Sequence, residues 1–344
     1  MDLSPAPADG QDRRVNILII SDAWIPQVNG VVRTLRQIRH ELEAMGKRVE
    51  IIGPDRFPTV PMPTYPEIRL AVFCGRKLAH MIDAMAPEAI HVATEGPLGH
   101  AARRYCLKRG FPFTTAYHTR FPEYIRDRFP IPLAWSYAAV RRFHCSATMM
   151  MVATATIEQD LVARGFTNIG RWTRGVDTEL FCPRDKGFIA DARPIAMYVG
   201  RVAVEKNIEA FLSMPWAGVK YVVGDGPQTA VLKERYPETR FVGAQHGEEL
   251  AKYYAAADVF VFPSRTDTFG LVLLEALAAG VPVAAYPVAG PLDVVNDPEV
   301  ACLDEDLGRA AQVALTLSPE KCRAYALKFS WRASTEQFLE NIQK

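Results

Sequence analysis

The chain has 344 residues, 49% of them hydrophobic and 23% charged, with 40 Lys and Arg against 39 Asp and Glu. That length suits two domains, each large enough to bury its own core, and the composition excludes a disordered or fibrous chain. A net charge of +1 excludes a uniformly basic nucleic-acid binder, while leaving room for a local basic face.

Six cysteines (Cys74, Cys106, Cys145, Cys182, Cys302, Cys322) are scattered without a C-x-x-C pair. They fit neither a disulfide framework nor a zinc site and suit a reducing cytoplasm. No stretch approaches the ~18 apolar residues of a membrane span. The opening MDLSPAPADGQDRR lacks the apolar core of a signal peptide and reads as a tail. The expectation is a cytoplasmic protein, soluble or peripheral.

From residue 15 onward, short β-branched runs alternate with amphipathic helical stretches, the pattern of parallel sheets with crossover helices. Strands are predicted over 15–20, 49–52, 89–92, 113–117 and 149–153, with helices over 32–45, 98–108, 133–144 and 157–164. Five prolines between Pro54 and Pro66 predict an extended loop there, since proline removes donors and fixes φ. A polar stretch over 173–193 reads as a hinge between a first domain (15–172) and a second (194–330). The second carries predicted strands over 195–199, 221–223, 240–242, 259–262 and 281–285, with helices over 228–235, 247–256 and 270–279. Residues 319–344 read as two helices broken near Ser330, the last (331–344) packing back on the first domain. The expected fold class is α/β, two Rossmann-like βαβ domains facing each other across a cleft. Ligands of such sheets bind at strand carboxyl ends.

The densest chemistry lies in the run SRTDTFGLVLLEALAAG at 264–280. A strand ends at Pro263, a loop carries Asp267, and the stretch Thr268, Phe269, Gly270, Leu271 opens a helix holding Glu275. Asp267 and Glu275 are eight apart, about two helical turns, so both can face one side of a cleft. Unpaired N–H groups at the helix start make an anion or hydroxyl site. The bland alternative has Asp267 capping the helix and Glu275 on a solvated face, but an unpaired carboxylate inside that apolar run is costly. Further on the amino side, Gly200 and Arg201 leave a strand and Lys206 follows five residues later, two cations suited to a diphosphate. The alternative there is an exposed salt bridge between Lys206 and Glu205. Gly224-Asp-Gly-Pro lacks the third glycine of a dinucleotide fingerprint, because Thr229 stands in its place.

In the first half, Asp22 to Gly30 follows the first strand, and Gly30 lets a phosphate approach the backbone. His118 and Glu95 also follow strands; each is a candidate site residue or a satisfied structural one.

In order along the chain, Asn29-Gly30, His118, Arg174-Gly-Val-Asp177, Gly200-Arg201 with Glu205-Lys206, Gly224-Asp-Gly-Pro227, Phe241-Val242-Gly243 and the 264–280 block resemble the retaining glycosyltransferases of family 4, which have the GT-B fold. The resemblance implies that Arg201 and Lys206 hold the donor diphosphate and that Gly30 lets it approach the first domain. It implies that Glu275, the second acid of the E-x7-E signature, binds the donor ribose. Asp267 replaces the first glutamate, one methylene shorter, and would contact the transferred sugar. His118 would line the sugar site, while Phe241 to Ala244, with Val242 and Gly243 at their centre, would border the nucleobase. Gly200, Gly224 and the 268–271 backbone would complete the donor side. The same resemblance implies a metal-independent reaction, in keeping with the lack of two aspartates two apart after any first-half strand, and no cofactor beyond the nucleotide-sugar substrate.

Charge is uneven. Between Leu70 and Cys145 eleven basic residues face five acidic ones, a net +6, against −5 for the remainder. Arg126, Arg128, Trp135 and Tyr137 mix cations with aromatics, the make-up of a surface resting on anionic lipid headgroups; the alternative buries the aromatics in the core. The 117–124 and 174–181 stretches look most like bacterial transferases that glycosylate diacylglycerol or ceramide from UDP-glucose, UDP-glucuronate or UDP-sulfoquinovose. Related GDP-mannose-dependent α-mannosyltransferases share them. Arg171 and Arg174 suggest an acidic sugar. The expected partners are a nucleotide-sugar and a lipid acceptor at an anionic membrane surface, not a nucleic acid. A sugar-nucleotide epimerase on the same fold and a nucleotide-sugar-binding regulator are the rival readings.

Overall fold

The computed structural model describes residues 16–27, 29–62, 65–128 and 131–343. In chain order the first part runs β1 (Ile17–Ile20), α1 (Gly30–Ala44), β2 (Val49–Ile52), β3 (Thr59–Met62), β4 (Tyr65–Ala71), α2 (Gly75–Met85), β5 (Ala89–Val92), α3 (Pro97–Arg109), β6 (Phe113–Tyr117), α4 (Phe121–Arg128), α5 (Leu133–His144), β7 (Met149–Val152), α6 (Ala155–Ala163) and β8 (Ile169–Arg171). Six of these strands form one parallel sheet in the order β2-β1-β5-β6-β7-β8. Covered by helices, β1 is apolar and buried along its whole length, as a central parallel strand must be.

The second part runs β9 (Ile195–Val199), α7 (Ile208–Ser213), β10 (Val219–Val223), α8 (Thr229–Arg235), β11 (Arg240–Gly243), α9 (Gly247–Ala256), β12 (Val259–Phe262), α10 (Leu271–Ala278), β13 (Val283–Ala285), α11 (Ala289–Val294), β14 (Ala301–Leu303), α12 (Leu307–Ala314) and α13 (Pro319–Ala326). Its sheet is parallel too, in the order β11-β10-β9-β12-β13-β14. The last helix, α14 (Trp331–Ile342), starts on a Ser330 cap and buries Trp331 and Phe338 among Leu35, Ile38, Leu42 and Trp172 of the first part.

The proline-rich segment departs from expectation. After a 3-10 turn at Pro54–Arg56, β3 and β4 pair antiparallel as a separate hairpin, with Pro61 opposite Arg69. A two-stranded ribbon has only edges, where proline's missing donor costs no ladder bond. Val15, expected to open the first strand, lies outside the described residues.

Both sheets reverse strand order once, between β1 and β5 in the first and between β9 and β12 in the second. Loops leaving these neighbouring strands diverge and open a crevice at their carboxyl ends. The two crevices face each other. Thr268 Oγ1 donates to the His118 carbonyl at 2.7 Å, and Asp293 accepts from Thr156 N and Oγ1 at 2.9 and 3.1 Å.

Candidate active site

The reversal between β9 and β12 sets the loop after β9, with Gly200, Arg201 and Lys206, beside the loop after β12, with Asp267. Lys206 Nζ and Asp267 Oδ1 lie 2.5 Å apart, 61 residues distant in sequence. Lys206 therefore pairs across the crevice, not along its own loop with Glu205 alone. Nor does Asp267 cap α10, whose N-cap is Gly270 without a side-chain cap bond. Its second oxygen is buried and unpartnered, as is Ser264 Oγ at the end of β12. Buried polar atoms without partners are uncommon and mark where a ligand supplies the bond.

Opposite stands His118, at the carboxyl end of β6. Arg174 Nη2 lies 3.3 Å from its Nδ1. A guanidinium only donates, so Nδ1 accepts and Nε2 carries the proton. That N–H is buried without a partner. Burial foremost, and the Arg174 charge next, hold the ring well below the usual histidine range, so it is a neutral donor. Behind it lies His91, stacked edge-on against Trp172 and Phe338 and pushed down to about 3 by burial.

Both rings stay neutral in the folded chain below the pH at which an exposed imidazole takes a proton. Unfolding then binds protons as pH falls through about 6.5, and stability drops by up to about 1.4 kcal/mol per pH unit per histidine. We expect the unfolding midpoint to fall steadily from pH 7.5 to pH 5; an unchanged midpoint contradicts the neutral-ring assignment.

Glu275 is only 5% exposed, not on a solvated face. Its Oε1 pairs with Arg33 Nη1 at 2.8 Å, and its Oε2 accepts from the Tyr254 hydroxyl at 2.8 Å. Arg33 belongs to α1 of the first part, so this pair crosses the cleft. Neither Arg33 nor Tyr254 was legible as a site residue. An arginine in an amphipathic helix reads as a solvated face, and a tyrosine in α9 reads as core.

Gly30 begins α1 behind the Asn29 cap, with nothing within 4 Å of where a Cβ would stand. Gly200 and Gly224 contact each other: the position of a Gly224 Cβ lies 1.8 Å from the Gly200 carbonyl oxygen. Gly224 N also donates to Gly243 O at 2.8 Å, tying the three glycine turns together. Val242 and Gly243 end β11 half-buried, the Val242 carbonyl taking the Gln245 amide at 3.0 Å. Thr268 and Phe269 are buried at the crevice, and Leu271 is half-buried against the first part's core.

Asp22 is structural. It is buried and accepts from Leu98 N, Gly99 N and Thr94 Oγ1, fixing the loop after β1 to the start of α3. Glu95 accepts from buried His144 at 3.0 Å while remaining partly open to the cleft. Arg171 pairs with Glu158, and Arg174 donates to the Trp172 and Thr173 carbonyls, so their side chains are committed internally.

The basic and aromatic segment divides. Trp135 is 73% exposed, Phe121 43% and Ile131 41%, and Arg126, Arg141 and Arg142 are exposed around them. Tyr137 corrects the expectation of a surface residue: it is 5% exposed and donates to Glu123 at 2.7 Å. It falls on the inner face of α5, between Ser136 and Val140. The Arg128 side chain lies outside the described residues.

Two parallel sheets with their crevices apposed, cations and a carboxylate at the second switch point and a neutral imidazole opposite define a two-domain, GT-B-type glycosyltransferase. Family models agree: "Glycosyltransferase Family 4" matches residues 28–180 and "Glycosyl transferases group 1" matches 193–317. The chain belongs to the family 4 glycosyltransferases. It is 30% identical to a GDP-mannose-dependent alpha-mannosyltransferase of Mycobacterium tuberculosis over 82% of each chain. An alpha-monoglucosyldiacylglycerol synthase of Streptococcus pneumoniae is 26% identical over 96% of this chain and 85% of that one. Among solved structures, sucrose-phosphate synthase from Thermosynechococcus elongatus superposes with a TM-score of 0.74 at 22% identity, covering 95% of this chain and 98% of that one. The epimerase reading finds no support among these relatives.

Proposed function

We propose that the chain transfers a hexose or hexuronate from a UDP-sugar to a membrane lipid such as diacylglycerol or ceramide, with retention at the anomeric carbon. Arg201 and Lys206 hold the departing diphosphate and stabilise its charge. Glu275 takes the ribose hydroxyls, while Gly30 and the 268–271 backbone let the phosphates approach. Val242 and Gly243 border the base. His118 donates its unpaired N–H to a sugar oxygen, and Asp267 accepts from sugar hydroxyls with the oxygen Lys206 leaves unpaired.

The sugar passes through a short-lived oxocarbenium-like ion pair. The acceptor hydroxyl attacks from the face the nucleotide leaves, and the leaving phosphate takes its proton. No carboxylate base, metal or cofactor is assigned a step.

What carries the lipid acceptor is the exposed Trp135, Phe121 and Ile131 amid exposed arginines, next to the β6 carboxyl end. Apolar side chains within a cationic field suit an anionic bilayer. Phe73 is a further exposed apolar side chain of the first part, 97% exposed at φ 53°, beside a Cys74 thiol that reaches the Pro97 carbonyl beyond β5. No helix among the described residues is long and apolar enough to cross a membrane; the exposed apolar and basic side chains are what support our assignment of a peripheral position, on the cytoplasmic face.

The Mycobacterium tuberculosis relative favours a second reading with GDP-mannose as donor. Radiolabelled UDP-glucose, UDP-glucuronate and GDP-mannose, each incubated with anionic vesicles containing diacylglycerol or ceramide, separate the two. Label from a UDP-sugar should enter the organic phase. Label entering only from GDP-mannose selects the second reading, and intact aqueous donor in every case overturns both.

A further inference from the structure

The Glu275 carboxylate poses a physical problem. It sits among Leu273, Leu274, Ala276 and Leu277, all fully buried, where a lone charge is expensive. Tyr254 orients one oxygen but brings no charge, since burial foremost, and Glu275 next, raise its phenol well above the usual range. The cation that pairs with Glu275 is Arg33, whose own guanidinium is held more firmly protonated by that carboxylate.

Arg33 is delivered from the other side of the cleft. Asn29 Oδ1 caps α1 at Val32 N (3.0 Å), and Thr34 Oγ1 donates to the Gly30 carbonyl (2.8 Å). Val32, Leu35, Ile38 and Leu42 pin the inner face of this helix against α14. The next charged groups around α10 are engaged elsewhere: Arg323 donates to the Ala278, Phe181 and Thr178 carbonyls, and Asp293 takes Thr156. A carboxylate has about four acceptor sites. Among the described residues, Arg33 and Tyr254 take one on each oxygen, and the sites left over suit a diol.

We propose that Arg33 is a positioning residue of the donor site, orienting and neutralising Glu275 from the opposite domain so that the ribose carboxylate is competent only while the cleft is closed. This rests on the reading of Glu275 as the ribose acceptor. The donor site is then composite: opening the cleft withdraws the cation, so nucleotide binding and closure favour each other.

The test is calorimetric binding of UDP, GDP and their 2′-deoxy forms to wild type, Arg33→Met and Arg33→Lys, with thermal unfolding as a folding check. Arg33→Met should weaken the nucleoside diphosphate about tenfold, and Arg33→Lys should restore most of the loss. Deleting the 2′-hydroxyl should cost wild type clearly more than Arg33→Met, because the two changes act through one carboxylate. If Arg33→Met does not fold, Arg33→Lys against the 2′-deoxy nucleotide closes the same cycle with a smaller coupling. Equal binding by the variants, or additive losses, overturns the inference while leaving the donor reading intact. Failure of both nucleotides to bind wild type overturns the donor reading and this inference with it.

Discussion

Arg201→Ala and Lys206→Ala are each expected to lower kcat about a hundredfold, the size of a lost electrostatic donor at a developing charge. The leaving diphosphate gains charge as the glycosidic bond breaks, so a cation held in place beforehand lowers the transition state more than the ground state. The Lys206 change has a second effect. Its ammonium sits 2.5 Å from Asp267, and removing it leaves a partly buried carboxylate beside an incoming polyanion. Lys206→Ala should therefore also raise the donor KM, whereas Lys206→Arg should recover part of both. Arg201 follows Gly200 at φ +152°, so its place depends on the turn itself. Near-normal kcat in either alanine variant removes these cations from the mechanism.

Gly224→Ala should be the most damaging single-methyl change in the donor site. At φ +153° an L side chain is strained, and the new Cβ would fall 1.8 Å from the Gly200 carbonyl oxygen. Backbone must move, because a carbonyl has no rotamer to yield. Strain and clash together should cost about 3 kcal/mol, a fall on the order of 10 °C in Tm. The displaced partner is the turn that carries Arg201, so donor binding should weaken as well. Gly30→Ala is the contrast. A Cβ there meets nothing within 4 Å, so stability should hold while donor affinity falls, the added methyl occupying the space assigned to phosphate. Equal stability of Gly224→Ala and wild type contradicts the packing described for these turns.

Much of this fold is legible in the residues because buried parallel strands are written as short β-branched or apolar runs. The strands 49–52, 89–92, 113–117, 195–199 and 259–262 were expected within those bounds and occur there. Prolines misled over 54–66, where breaker residues build an edge-only hairpin. Also unforeseen were α2, α4, α11 and α12. In α2 a signal was present, since Leu78 and Ile82 are spaced one turn apart and both buried. The loops bearing Arg201, Lys206 and Asp267 could be named because each follows a recognisable strand. What sequence spacing could not carry is pairing across the cleft. Arg33 and Glu275 are 242 positions apart, and only the apposition of two separately folded sheets brings them together. Tyr137 and Trp135 show the same limit on one helix: two residues apart, they differ in fate because α5 buries one face and exposes the other.

The central claim is retaining transfer from a nucleoside diphosphate sugar, with leaving group and acceptor on one face. The anomeric configuration of the purified glycolipid, read by NMR after reaction with an α-linked donor, tests it most directly. An α-glycoside is the predicted product. A β-glycoside would mean attack from the opposite face and would contradict the account.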